Sequence, residues 1–444
     1  MNPKIIVLDD DPTGSQTVHS CLLLTRWDVA TLKAALADAA PLFFVLTNTR
    51  GMDAARAADI TREVCENLKL ALAGYSGPVL FVSRSDSTLR GHYPVETDVM
   101  NEVLGPFDAT LLTPGFFEGG RVTRDGTHYL IVDGRPVPTH ETEFARDSVF
   151  GYTTAFLPDY VAEKTGGRVA AKDVACLTLA ELRAGRADAW LAGLADNAVG
   201  VVDGETPDDY RMFADATLKA AAAGRRLLFR SAASLLTALA KLPPQPVAAE
   251  SFATLVRDGR PGAIVVGSHV AKTTAQLTEL LKARGVVGLP LDVARLPAGR
   301  AAVADELVVS ITHAHAQGLT PVVFTSRTEL KFASIAERLA FGEAVSGTLM
   351  DVVQRLPETL GFLISKGGIT SNDVLSTGLA LTASRVLGQI LPGVTVVQTP
   401  AAHRLPQLPV VIFPGNVGGD GALAEAYRRL APSHAQASAA TLAA

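Results

Sequence analysis

The chain has 444 residues, 48% of them hydrophobic, and its 45 acidic side chains stand against 40 basic ones for a net charge of −5. That length exceeds what one hydrophobic core serves, so two domains are expected. The near balance of charge gives no electrostatic case for nucleic acid or an anionic membrane as partner. Cys21, Cys65 and Cys176 lie far apart with no metal-ligand spacing, which fits inert thiols in a reduced, cytoplasmic compartment.

The opening MNPKIIVLDDD leads straight into a strand pattern and carries no signal-peptide core. No apolar run approaches the roughly 20 residues that span a bilayer. In the first half, strands are predicted at KIIVL, LFFVL, PVLFV, ATLLT, VGVV and RLLF. Most show little polar alternation, as strands covered on both faces do. Between them lie amphipathic segments such as DAARAADITREVCENLKLAL, with apolar positions three and four apart. The proline-bearing KLPPQPVAAESFATLVRDGRPG interrupts this rhythm and reads as a linker with room for one short helix. Strands then resume at AIVVGSH, PVVFTSR, GFLISKGG and PVVIFPGN.

The pattern predicts an α/β fold of two domains, each a mostly parallel sheet flanked by helices, with a ligand cleft between them. The expected boundaries are an N-terminal domain over 1–245, a linker over 246–260 and a C-terminal domain over 261–430. The Ala-rich 431–444 reads as a disordered tail.

Ligands of open α/β sheets bind beyond the carboxyl ends of the strands, so the polar strand ends locate candidate sites. In the first half these are DDDPTGSQT, TNTRG and SRSDSTLRG. Arg50, Arg84 or Arg90 is suited to binding a carboxylate in two-pronged fashion. Asp10, Asp11 and Asp86 are suited to accepting hydrogen bonds from hydroxyls, so a small anionic polyol is the expected ligand. Turn chemistry alone also explains Asp11-Pro12-Thr13-Gly14. In the second half GSHVAKTTAQL, SKGGITSND and PGNVGGDGAL place glycine turns before helices, where free N–H groups and the helix dipole favour phosphate. No Walker A or GxGxxG pattern is present.

Four further features carry candidate chemistry. His313 and His315 sit two apart in a helical pattern, so their rings diverge and a shared metal is not expected. FTSRTEL offers Ser326 or Arg327 to a phosphate, and VVDGETPDD offers Asp203 and Glu205 to a ligand or a helix cap. TPGFFEGGRVTRDG brings Arg121 as a further candidate for the substrate.

Taken in order, DDDPTG, SRSDSTLRG, GSHVAKTTAQL, SKGGITSND and PGNVGGDGAL resemble the four-carbon acid sugar kinases, two-domain enzymes that phosphorylate tetronates with ATP. The resemblance implies that the N-terminal domain holds the sugar acid through Asp11, Arg50, Arg84, Ser85, Asp86 and Ser87, with Arg90 beside them. It implies that the C-terminal domain holds ATP through Ser268, Gly367, Gly368, Thr370, Gly415 and Asn416, with Lys366 and Gly418 in the same turns. Mg²⁺ is expected with the nucleotide, its ligands unassigned, and the base is open among Asp10, Asp11 and Asp86. Many members have Ala-Asp-Asp, a hydrophobic residue and Thr-Gly-Ala where this chain has Leu8 through Ser15. They often have Lys before Asp-Ser-Thr, where Arg84 and Ser85 stand here.

The function expected is thus transfer of phosphate from ATP to the C4 hydroxyl of D-threonate, D-erythronate or 3-oxo-tetronate. Alternatives are a kinase of another small polyol acid, a phosphatase, or a non-catalytic sensor of nucleotide and sugar acid. A homodimer is the default assembly.

Overall fold

The computed structural model describes residues 3–327 and 334–431, and it divides into two compact units, one ending at Pro244 and one beginning at Gln245. The strands of the first unit are β1 (Lys4–Asp9), β2 (Leu22–Leu24), β3 (Leu42–Leu46), β4 (Val79–Arg84), β5 (Ala109–Thr113), β6 (Arg121–Arg124), β7 (Thr127–Val132), β8 (Arg135–Pro138), β9 (Ala175–Leu177), β10 (Ala198–Val202) and β11 (Leu227–Ser231). A parallel sheet runs β2-β3-β1-β4-β11-β5-β10-β9. Every residue of β1, β3, β5 and β11 is buried, because helices cover both faces and leave no solvated side for polar alternation. The helix Ala54–Ala71 joins β3 to β4. It turns Ala57, Ile60, Val64, Cys65 and Leu68 inward, and the Asp53 side chain accepts from the Arg56 amide to cap its start.

The three remaining strands form a separate antiparallel sheet, β6-β7-β8. No strand is predicted from sequence in TPGFFEGGRVTRDG, yet its Asp-Gly pair marks a hairpin. Asp125 and Gly126 both take positive φ, the conformation a two-residue turn between antiparallel strands requires.

In the second unit the strands are β12 (Ala263–Val266), β13 (Val286–Leu291), β14 (Thr320–Thr325), β15 (Leu363–Lys366), β16 (Ala383–Leu391), β17 (Val394–Gln398) and β18 (Pro409–Phe413). Their order is β13-β14-β12-β15-β18-β17-β16, parallel through β18 and antiparallel over the last two pairings. The antiparallel pair escapes the sequence reading because ASRVLGQIL is half polar, and its buried positions alternate as in a one-sided strand. Phe252 and Val256, within the segment expected to be a linker, pack with Ile264, Phe362 and Tyr427 in this unit's core. The Ala-rich tail lies outside the described residues from 432 onward. Among the described residues no helix is long and apolar enough to cross a membrane.

Candidate active site

In the first unit β3, β1 and β4 are neighbours, so the three polar loops that follow them stand side by side at one edge of the sheet. The loops are tied together by backbone bonds. The Thr47 amide donates to the Asp9 carbonyl and the Asp10 amide to the Arg84 carbonyl. At the centre lies Arg50. Its Nε donates to Asp10 Oδ2 at 3.1 Å, its Nη2 donates to Asp10 Oδ1, and its Nη1 lies 3.4 Å from Asp11 Oδ2 and 4.0 Å from Asp86 Oδ1. One guanidinium therefore knits three carboxylates from two strand ends.

Asp10 is 2% exposed and fully occupied, since Ser85 Oγ also donates to its Oδ2 at 2.6 Å. Asp11 and Asp86 differ from it. Each commits one oxygen to its own loop, Asp11 Oδ1 to the Thr13 amide and Asp86 Oδ2 to Thr88 and to Arg90 Nε at 2.8 Å. Each leaves its other oxygen with only the long approach of Arg50, and their side chains are 20% and 12% exposed. Burial alone would raise both carboxyls. Burial is the largest single influence, but Arg50, together with Arg84 and the Thr13 hydrogen bonds at Asp11 and with Arg90 and Thr88 at Asp86, outweighs it in sum and holds both below the usual carboxylate range.

Arg84 and Ser85, expected at the substrate, turn inward instead. Arg84 is 4% exposed and its Nη1 lies 3.2 Å from Asp9 Oδ1 and 3.6 Å from Asp10 Oδ1. It is the internal counter-ion of the triple-aspartate run. Ser87 is also buried, and its carbonyl accepts from His128 Nε2 at 2.7 Å. The exposed part of the expected set narrows to Asp11, Arg50, Asp86 and Arg90.

Several residues that support this site were not singled out from sequence. Asp9 is fully buried under the Asp11–Gly14 turn, and burial pushes its carboxyl up to about 7 despite Arg84. Glu96 accepts from Thr49 Oγ1, and burial followed by the charge of Asp10 pushes it up to about 7. Arg230, on β11, donates at 2.9 Å to the carbonyls of Asp86 and Arg90 and so shapes the loop between them. A charged residue inside the apolar run LLFRS was the available signal for Arg230; nothing local marks His128, which burial keeps neutral by lowering it to about 4.

The second unit repeats the geometry, with β12, β15 and β18 adjacent and parallel. Ser268 follows β12, Gly367, Gly368 and Thr370 follow β15, and Gly415, Asn416 and Gly418 follow β18. The loops touch: a Cβ on Gly267 would stand 2.2 Å from Thr370 Oγ1, and one on Gly367 would stand 3.2 Å from Ser268 Cβ. Gly367 and Gly418 take positive φ, at 113° and 78°, which favours glycine there. Gly415, Gly419 and Gly421 have nothing within 4 Å of where a Cβ would lie, so there is open space beside the backbone of this turn. Lys366 is not open. It is fully buried, its Nζ lies over the Phe413 ring at 4.5 Å, and it donates to the carbonyls of Pro414 and Gly415. Burial, then the charge of Lys272, pushes it down to about 7. Lys366 thus anchors the β18 turn rather than facing a ligand.

The remaining candidates resolve plainly. Asp203 accepts from the amides of Asp125, Gly126 and Leu179, Glu205 pairs with Arg124, and Ser326 Oγ donates to the Leu291 carbonyl. Arg327 donates to the Ser268 carbonyl at 2.7 Å and to Thr325, the remainder of FTSRTEL lying outside the described residues. His313 bonds Gln317 and His315 bonds Thr359, each turned to its own partner.

Residues 5–239 match the sugar-binding N-terminal domain family and residues 263–423 match the nucleotide-binding C-terminal domain family. Two relatives are a D-erythronate kinase of Heliobacterium modesticaldum, 30% identical over 36% of each chain, and a D-threonate kinase of Bordetella bronchiseptica, 32% identical over 35% of this chain and 38% of its own. The matched stretches thus span little more than a third of these relatives' lengths. Solved structures of a Salmonella typhimurium LT2 protein and a Haemophilus influenzae protein share the fold. Their TM-scores are 0.69 and 0.64 at 19% and 17% identity, over 96% of this chain and 98% and 100% of theirs. With a sugar-binding domain at its N-terminal side and a nucleotide-binding domain after it, the chain belongs to the four-carbon acid sugar kinase family.

Proposed function

We propose that this chain is an ATP-dependent kinase that phosphorylates the terminal hydroxyl of a four-carbon sugar acid. The observation that carries the reading is Arg50 held among Asp10, Asp11 and Asp86 at adjacent strand ends, with one oxygen of Asp11 and one of Asp86 left for a hydroxyl-bearing ligand. Supporting it are two relatives that are tetronate kinases and a match to a nucleotide-binding domain.

The residues present fit a polyphosphate, since the open glycines after β18 leave room beside backbone amides and Lys272 stands at their edge with its Nζ 3.1 Å from the Gly418 carbonyl. Among the described residues no group of three His, Cys, Asp or Glu is arranged for a metal. Mg²⁺ would therefore be held largely by the phosphates and water, as is common for this ion. ATP supplies the phosphoryl group and the ADP leaving group.

What the chain's own residues do follows from their charge state. Asp11 and Asp86 stay ionised, so each accepts a hydrogen bond from a substrate hydroxyl. We assign Asp11, the more exposed of the two, to receive the proton of the C4 hydroxyl as that hydroxyl oxygen bonds to phosphorus and the bond to the ADP oxygen breaks. Asp10 has no oxygen to spare and serves to fix Arg50. Phosphoryl transfer asks mainly for such alignment and charge stabilisation.

The test is ADP release with ATP and Mg²⁺ against D- and L-threonate, D- and L-erythronate and 3-oxo-tetronate. Turnover with one acid well above the rest is the expected result. No ADP from any acid, with nucleotide still bound, refutes the tetronate reading and favours a sensor or another polyol acid.

A further inference from the structure

Five arginines converge on the strand ends of the first unit, and four already have work. Arg50 is shared among Asp10, Asp11 and Asp86. Arg84 is buried against Asp9 and Asp10. Arg90 is bonded to Asp86, lies 3.8 Å from Asp147 and covers the Phe144 ring. Arg230 is buried and spends its guanidinium on two carbonyls.

Arg121 is held least. Like Arg230 it has no ion-pair partner among the described residues, but where Arg230 is fully buried and bonds two carbonyls, Arg121 is only partly buried, its Nη1 donates to the single carbonyl of Gly119 and its guanidinium lies 5.8 Å from the Phe116 ring; its Nε is buried without an acceptor, as are those of Arg84 and Arg230. Its place is fixed from two sides. Its backbone exchanges hydrogen bonds with Phe116, just beyond the carboxyl end of β5, at 2.8 and 3.0 Å. On β6, Arg121 and Thr123 are two apart and share one face. Thr123 Oγ1 bonds His128 Nδ1, and His128 Nε2 bonds the Ser87 carbonyl in the loop after β4. The face that carries Arg121 is therefore the face pinned to the Asp86 loop. The charged groups within electrostatic reach are Asp86 and Glu143, which favour its cation, and Arg90, which opposes it, while burial lowers its pKa most of all. A half-buried cation without a counter-ion is costly until an anion arrives.

We infer that Arg121, and not Arg50, Arg84 or Arg90, takes the carboxylate of the sugar acid. This rests on the kinase reading above. The carboxylate would complete a site that otherwise holds a spare positive charge on its hairpin side, and the polyol end would then extend toward Asp86 and Asp11.

The experiment compares wild type, Arg121→Gln and Arg121→Lys against the tetronate that the wild type turns over best and against the neutral amide of that acid. Calorimetric binding without nucleotide is measured beside KM and kcat. In Arg121→Gln the Kd and KM for the acid rise about 10- to 100-fold, the loss of a charged hydrogen-bond pair, while binding of the amide is unchanged. Arg121→Lys keeps the charge without the two-pronged geometry and falls between them. Equal weakening of acid and amide in both variants would make Arg121 a structural residue and overturn the inference. Wild-type turnover with an unaltered Arg121→Gln sinks this inference alone. A wild type that neither binds nor phosphorylates any of the acids sinks the kinase reading with it.

Discussion

The strand ends of the two units handle polarity in opposite ways. In the first, charge is answered by charge: Asp9, Asp10, Asp11 and Asp86 interlock with Arg50, Arg84 and Arg90, and each carboxylate has at least one oxygen held by a fixed donor. In the second, the loops after β12, β15 and β18 are rich in glycine, with Ser268, His269, Thr370, Asn416 and Asp420 among them and open space at Gly415, Gly419 and Gly421. A preorganised ion-pair network suits a small ligand recognised by direction, because donors and acceptors cannot rotate away. Open backbone suits a phosphate chain, which needs many amides and little side-chain specificity.

The largest effect that would break this contrast lies at Asp11. Asp11→Asn keeps the Thr13 turn but removes the proton acceptor, and kcat should fall on the order of 10²–10⁴-fold with folding retained. Steady-state kinetics beside a thermal melt decide it; unchanged kcat moves the role to Asp86.

Next comes a matched pair of glycines. A Cβ on Gly14 would lie 2.2 Å from both oxygens of the buried Asp9 carboxylate, so Gly14→Ala should destabilise the first unit by about 1–3 kcal/mol, read by urea unfolding. Gly415→Ala meets nothing within 4 Å, so stability should hold while nucleotide Kd rises several-fold. If Gly415→Ala binds nucleotide as the wild type does, the open glycines are not a phosphate site.

The last prediction is a pH slope. The Asp9 carboxyl, at about 7 in the fold against an ordinary 3.8, binds more protons folded than unfolded between those values. Its contribution to stability is therefore present in full below about pH 4 and is lost as pH rises through 7. Asp9→Asn should flatten that part of the wild-type stability profile, and an identical slope in both proteins would show that Asp9 is not the group responsible.

How much of this was legible beforehand varied with the range of the interaction. DDDPTG and SRSDSTLRG announced a polar site because charged residues directly after an apolar run are a local signal. Which of those charges face outward was not legible: Arg84, the last residue of β4, and Arg90, in the loop after it, are six residues apart, yet one is sealed against Asp9 and the other partly exposed. Arg230 and His128 shape the same loop from positions 140 and 41 residues away from their partners in sequence, a separation no local pattern encodes. Lys366 sits in a glycine turn that reads as phosphate-binding, but packing over Phe413 turns it inward.

By itself the sequence determined the strand-rich α/β character and the position of most parallel strands, since burial on both faces leaves a mark in composition that needs no knowledge of neighbours. It also marked the strand ends at which polar and glycine-rich loops gather. Strand order, and with it the grouping of β3, β1 and β4 and of β12, β15 and β18 into two sets of adjacent ends, was decided only by the tertiary structure. So was the pairing of each arginine. A guanidinium has no preferred carboxylate until the fold brings one within reach, so Arg50 and Arg84 meet theirs while Arg230 and Arg121 are left with carbonyl oxygens.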